Sequence, residues 1–132
     1  MPPLLPEQFA AEIEKKAFTN GRDDRPLVTR LYREYFETAM VKATRLDYSK
    51  LGWGDAEGCQ VALLLPELKQ LTSLDLSRNS LGPEGGKAIA EALKSGTSVL
   101  TSLDVEVNDV GHAEKQQLRD AVKEREGFHL YV

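Results

Sequence analysis

The sequence predicts an α/β fold, a short solenoid of about three repeats with parallel strands on one face and helices on the other. Three observations lead there. The stretch Leu71 to Leu93, LTSLDLSRNSLGPEGGKAIAEAL, recurs: moved by 29 residues, Leu71, Leu74, Asn79 and Gly82 fall on Leu100, Leu103, Asn108 and Gly111. Leu76, Leu81 and Leu93 fall on Val105, Val110 and Val122, so the apolar spine is kept. A shift of 28 the other way lays Leu74-Asp75-Leu76-Ser77-Arg78 on Leu46-Asp47-Tyr48-Ser49-Lys50. Within each copy the apolar period changes from that of a strand to that of a helix.

Taken in order, Pro6 to Phe18 alternates apolar and charged groups at helical spacing, with Phe9, Ile13 and Ala17 on one face. Pro6 suits a first turn, and Asn20-Gly21 with Asp23-Asp24 reads as a loop. A second helix is expected from Arg25 or Pro26 to about Lys42, with an Asp as N-cap. Leu27, Leu31, Tyr35, Phe36 and Met40 are read as its apolar stripe, and Arg30, Arg33, Glu34 and Glu37 as solvated. Residues 1–44 are therefore expected to be a two-helix cap over the open end of a solenoid spanning 45–132, because an open end demands a cover.

The first repeat, 45–70, departs from the pattern: Leu51 stands at the position of Asn79, and Trp53 at that of Leu81. A terminal repeat is expected to be atypical. Its helix, Ala56 to Leu65, is apolar on nearly every side. Leu63 aligns with the outward Glu91, and is expected to be covered by the N-terminal helices, a docking patch being the alternative.

The second repeat, 71–99, shows the unit most clearly. Leu74 and Leu76 alternate with Ser73, Asp75 and Ser77 as in a half-buried strand. Asn79 sits where the chain leaves the strand, and a column of such amides would satisfy the corner's backbone groups. Gly82-Pro83-Glu84 reads as a helix start, with Gly86, Ile89, Ala90 and Leu93 facing in and Gly96 stopping the helix. One such unit cannot bury its apolar side alone. The third repeat, 100–126, has a polar helix from which Leu118, Ala121 and Val122 point inward, as in a repeat without a further neighbour. Gly127 is expected to stop that helix, and 128–132 to form a last strand with Phe128, Leu130 and Val132 inward.

LxxLxLxxNxL followed by a Gly-rich helix start resembles the leucine-rich repeat, in particular the long, ribonuclease-inhibitor-like subclass. Leu71, Leu74, Leu76, Asn79, Leu81, Gly82, Gly85 and Leu93 occupy its pattern positions. The run Leu51-Gly52-Trp53-Gly54-Asp55 resembles the opening repeat of some protist proteins of that family. The resemblance implies a right-handed curved stack with strands on the concave face. It also implies a binding role, since members mostly bind other proteins on that face and a few activate GTPases.

Stacking such strands aligns Asp47, Asp75, Asp104 and then Tyr131 in one concave column, with carboxylates about 4.8 Å apart. Arg45, Ser73, Ser102 and His129 flank it on one side; Ser49, Ser77 and Glu106 on the other, and Lys50 and Arg78 follow at the strand exits. The partner-binding set read from this is Asp47, Asp75, Ser77, Arg78, Asp104, Glu106 and Tyr131, with Asn79 and Asn108 as structural corner residues. The functional reading is an acidic stripe with basic edges that takes a basic or mixed-charge protein segment. The bland reading is a solvated strand face, and it carries equal weight. Aspartate is a poor strand former, so its threefold return asks for a reason.

Composition narrows the classes. A net charge of −4 without a basic stripe speaks against nucleic acid, and no apolar run approaches membrane-spanning length. Cys59 is the only cysteine, which excludes an internal disulfide and suggests a reducing compartment. The first residues resemble neither a secretory leader nor a transit peptide, so the cytoplasm is expected, an organelle or a large assembly remaining open. His112 and His129 lack partners at ligand spacing, and the glycine sets lack the Lys-Ser/Thr ending of a phosphate loop. No cofactor or metal is implied. The expected function is a non-catalytic interaction or scaffold module, a monomer by itself or an accessory subunit of an assembly. The rival from another class is a regulator of a small GTPase acting through Arg78. A further alternative is docking through the apolar first-repeat helix and the N-terminal helices.

Overall fold

Four short strands, β1 (Arg45–Asp47), β2 (Ser73–Asp75), β3 (Ser102–Asp104) and β4 (His129–Tyr131), form one parallel sheet in chain order. The computed structural model describes residues 2–16, 24–96 and 98–132. The register follows the repeat spacing. Leu46, Leu74, Leu103 and Leu130 share one row, and Asp47, Asp75, Asp104 and Tyr131 the next. Alternation sends these rows to opposite faces. The central Leu74 and Leu103 are fully buried, while Leu46 and Leu130 on the outer strands are half-buried.

A helix follows each of the first three strands: α3 (Asp55–Leu64, extended by a 3₁₀ turn Leu65–Glu67), α4 (Pro83–Lys94) and α5 (His112–Val122). Leu76, Leu81, Ile89, Leu93 and Leu118 pack beneath them in one apolar core that runs the length of the sheet. Glycine lets α3 and α4 approach closely. A Cβ on Gly58 would stand 2.9 Å from Leu81 Cδ2 and 3.1 Å from Gly85 Cα.

Two helices precede β1: α1 (Pro6–Glu14), and α2 (Arg25–Tyr35) continued by a π-helical turn, Phe36–Met40. They pack on each other through Phe9 and Tyr32, whose rings stack with centroids 3.9 Å apart. The Tyr32 hydroxyl donates to the Leu4 carbonyl at 2.7 Å. A part-buried amide pair fastens this end to α3. Gln60 Nε2 donates to Gln8 Oε1 at 2.7 Å and to the Pro3 carbonyl at 3.1 Å, and Gln8 Nε2 donates back to Gln60 Oε1 at 3.1 Å. Phe36 and Met40 are buried in the same core as the repeat leucines.

The apolar stripe expected along the second helix divides into two. Leu27, Leu31 and Tyr35 are 45%, 51% and 47% exposed, whereas Phe36 and Met40 are buried. From Leu27 to Phe36 is roughly two and a half helical turns, so the two rows lie on opposite sides. The inward row instead runs through Tyr32, Phe36 and Met40. Leu63 is likewise 52% exposed, so the N-terminal helices do not cover it. They seat on Gln60 and on the core, away from the outward side that Leu63 shares with Glu91. The last helix ends at Val122, earlier than Gly127. Two turns replace it, Arg125 N–H donating to the Val122 carbonyl and Phe128 N–H to that of Arg125. Ala17 and the Asn20-Gly21-Asp23 loop lie outside the described residues.

The corners are held between neighbouring repeats. Asn79 Oδ1 accepts the N–H groups of Leu51 and Trp53 at 2.9 and 3.0 Å. Its Nδ2 donates to the carbonyls of Tyr48 and Leu76 at 2.8 and 2.9 Å. Asn108 repeats this one step along, accepting Leu81 N–H at 2.9 Å and donating to Leu76 and Val105 carbonyls at 3.0 Å each. Each amide therefore reaches back to the preceding corner. Leu51 has no preceding corner to serve, which is why an apolar residue suffices there.

The helix ends use the same device. Asp55 Oδ1 accepts Gly82 N–H at 2.9 Å and Gly85 N–H at 2.8 Å, so a carboxylate of one repeat caps the helix of the next. At the other end, Arg125 donates through Nη2 to the Leu93 carbonyl at 2.7 Å and through Nη1 to that of Leu100 at 3.3 Å. A cation is favourable at that end of α4.

Asn79→Ala takes the side-chain partner from the Leu51 and Trp53 N–H groups and the Tyr48 carbonyl, while the Leu76 carbonyl keeps Asn108. At about 1–3 kcal/mol for each buried group stranded, the loss should reach about 3 kcal/mol. Asn108→Ala should lose less, since Asn108 is only half-buried and holds one N–H where Asn79 holds two. Urea denaturation of both variants checks the order; equal losses would mean that the backward bonds do not set it.

Candidate functional site

The candidate face begins where each strand ends. Asp47 Oδ1 accepts the Ser49 N–H at 2.9 Å and the Ser49 hydroxyl at 2.6 Å. Asp75 Oδ1 accepts Ser77 N–H at 2.8 Å, and Asp104 Oδ1 accepts Glu106 N–H at 2.9 Å. Each aspartate thus turns the chain by bonding the backbone two residues on, a habit of short acidic side chains. This supplies the reason for a poor strand former in three successive strands. The turn calls for a short side chain with an acceptor oxygen.

The next position in each copy adopts the left-handed conformation: Lys50 at φ 57°, Arg78 at φ 57° and Val107 at φ 56°. The sheet ladder continues through these exits, with Lys50 N–H donating to the Ser77 carbonyl at 3.1 Å and Arg78 N–H to that of Glu106 at 2.9 Å. The side chains of Lys50, Arg78 and Val107 are exposed beside the turns. Val107 is the anomaly, a β-branched residue in a conformation that crowds its Cβ. Nothing in its sequence position except alignment with Lys50 and Arg78 foretells this.

Asp47, Asp75, Asp104 and Tyr131 form one row in register, as the repeat spacing predicts. Asp75 and Asp104 are half-buried in the middle of it; Asp47 and Tyr131 are exposed at its ends. The second carboxylate oxygen of each aspartate accepts no hydrogen bond from the described residues. Ser77 and Glu106 line the turns on one side, with Arg78 exposed beyond Ser77. Arg45, Ser73, Ser102 and His129 run along the other side in register. Of the expected set, Asp47, Asp75, Asp104 and Tyr131 share this row, and Ser77, Arg78 and Glu106 follow at the strand exits. Asn79 and Asn108 lie below the row and hold its corners.

Electrostatics on the face are mild. The Ser49 hydroxyl and amide bonded to Asp47 hold its carboxyl below the usual carboxylate range, with Lys50 and Arg45 adding to the effect. Tyr48, packed on Trp53 with ring centroids 4.7 Å apart, has its phenol pushed up by burial. Among the described residues no three of His, Cys, Asp and Glu gather as a metal centre requires. Cys59 is a half-buried free thiol. A concavity of about 480 Å³ lies elsewhere, between α4 and α5, lined by Lys87, Glu91, Lys94, Asp120 and Lys123. None of the expected site residues reaches it. No helix among the described residues is long and apolar enough to cross a membrane.

Gln8, Asp55, Gln60 and Arg125 were not singled out in the sequence reading, though each bridges two elements. Their partners lie 25 to 57 residues away, so local pattern gives no signal for them.

Residues 69–90 match the model of the Leucine Rich repeat family. The match begins just before β2, contains the Asn79 corner and covers most of α4. It supports a leucine-rich repeat protein and, with it, a protein–protein interaction module. No curated protein and no solved structure matches the chain.

Two measurements follow from the turns. Val107→Asn should stabilise the protein by about 1 kcal/mol, because Asn tolerates the left-handed region and Val does not; an unchanged or lower midpoint in urea would refute the strain. For Asp47, the folded carboxyl titrates below its unfolded value. Its contribution is therefore present above the usual carboxylate range and is lost as pH falls through the folded value. A carbon-detected NMR titration should place its midpoint below the usual one, and Ser49→Ala should move it part of the way back up.

Proposed function

We propose that this chain is a non-catalytic protein-interaction or scaffold module, an accessory subunit of a larger assembly, that holds a basic or mixed-charge segment of a partner protein on its concave strand face. Asp47, Asp75, Ser77, Arg78, Asp104, Glu106 and Tyr131 carry the contact. The observation behind this is the row of aspartates in register, each with one oxygen committed to its turn and the other accepting no hydrogen bond from the described residues. An open face of this kind suits a peptide chain better than a small molecule, which needs enclosure. With this goes the finer family reading: the ribonuclease-inhibitor-like subclass, three repeats over 45–132, residues 1–44 as a cap, and a cytoplasmic setting. The likeness of Leu51-Gly52-Trp53-Gly54-Asp55 to protist members belongs with it too.

Arg78 is the residue of the GTPase-regulator alternative. Its exposed side chain is the one to replace in testing that reading. The docking alternative has a specific observation in its favour. Leu27, Leu31 and Tyr35 on α2, and Leu63 on α3, are apolar and exposed, whereas the adjacent Leu64 is buried.

The test must separate recognition from turn formation. Asp75→Asn with Asp104→Asn keeps an oxygen acceptor at each turn and removes the charge. Affinity capture with the parent chain and with this pair should show partner retention falling several-fold in the variant, and falling with added salt, while thermal stability stays within about 0.5 kcal/mol. Retention equal in both would exclude the acidic face, and loss on Leu31→Lys with Leu63→Lys instead would place the contact on the helices.

A further inference from the structure

We propose that the outer edge of β4 is a self-association surface, on which a second copy of this chain adds its own β4 in the antiparallel sense. His129 N–H donates to the Thr101 carbonyl at 2.9 Å, and Val105 N–H donates to the Tyr131 carbonyl at 2.8 Å. The backbone groups of His129 and Tyr131 therefore face β3. Those of the intervening residue point the other way, as alternation along a strand requires. Leu130 N–H and carbonyl, the Phe128 carbonyl and Val132 N–H thus line an edge that no other strand among the described residues covers.

That edge is complementary to itself. Centred on Leu130, an antiparallel copy exchanges a reciprocal pair of hydrogen bonds between the two Leu130 residues. On either side Val132 N–H donates to the Phe128 carbonyl of the other copy. Phe128, Leu130 and Val132, all half-buried, gain cover on the core side. On the concave side His129 comes opposite Tyr131 of the other copy, with no charge facing like charge. Residues 128–132 hold no Lys, Arg, Asp, Glu, Pro or Gly. Sheet edges that must stay single usually carry such residues. The other outer strand, β1, does carry them, in Arg45 and Asp47.

A strand added here extends the sheet across the two copies without using the helices, so the association is weak and reversible. Each copy has a net charge of −4, and salt should therefore favour the pair by screening. That trend is opposite to the one expected for a partner held by the aspartate row, which makes the two readings separable.

Sedimentation equilibrium on the full chain tests this, with the mass expected to rise with concentration from 14.7 kDa towards twice that value. Amide exchange at Leu130 and Val132 should slow over the same range. His129→Lys with Tyr131→Lys, both at exposed positions, sets lysine against lysine in the antiparallel pair and should leave a monomer with an unchanged circular dichroism spectrum. His129→Lys with Tyr131→Glu sets lysine against glutamate and should restore association. A monomer at every concentration overturns the proposal, as does association that persists in the double-lysine variant or fails to return in the Lys/Glu variant.

Discussion

Every strand in this molecule is too short to satisfy the backbone that leaves it. With three residues per strand, the ladder ends almost as soon as it starts, and the chain must then turn towards a helix under cover of the core. The polar groups at those corners are met by the carboxamide of the following repeat. Asn79 serves the corner after β1, and Asn108 the corner after β2. A single repeat cannot complete its own corner. Stacking is thus imposed by hydrogen bonding as well as by the apolar core, and the two requirements share one register.

The same dependence recurs at the helices. The first turn of α4 is capped by Asp55 from the repeat before, in space left open by Gly82 and Gly85. The last turn of α4 is held by Arg125 from the repeat after. The middle repeat is therefore completed at both ends by its neighbours. The α3 start differs because it has no neighbour to call on: Glu57 of the same helix accepts the Gly54 N–H at 3.1 Å. The part-buried Gln8–Gln60 pair then carries the chain of inter-element bonds into the N-terminal helices. Cooperativity follows, since each of these bonds links elements far apart in sequence and none survives the separation of its partners.

Much of this was legible in the sequence because repetition exposes what position demands. The strand register, the inward leucines and the amide corners follow from two nearly equal shifts, and Leu51 could be read as an exception for the right positional reason. What escaped has a common physical cause. Asp55, Gln60 and Arg125 act across repeats where the copies differ, so alignment gives them no counterpart. The stripe along α2 was misread because Leu27, Leu31 and Tyr35 follow one row and Phe36 and Met40 another, on opposite sides of the helix. An apolar Leu63 predicts a cover, but the N-terminal helices find their anchorage at Gln60 and in the core. Local periodicity says that a residue lies on a face, and not which face a neighbour occupies.

The aspartate row shows how a structural explanation can sharpen a functional one. The turns account for why Asp47, Asp75 and Asp104 are aspartates, so their recurrence alone no longer argues for binding. What the turns do not use is the second oxygen of each carboxylate. A turn accepting one N–H could equally be closed by serine, threonine or asparagine, without placing a ladder of charge at strand spacing. Like charges set about 4.8 Å apart repel, and a fold under no other demand gains by avoiding them. The row is thus more charged than its turns require, and a cationic segment laid across it would relieve the repulsion that the stack builds in. Recognition on this face would then act on the same carboxylates that shape the corners, through the oxygen the corners leave free.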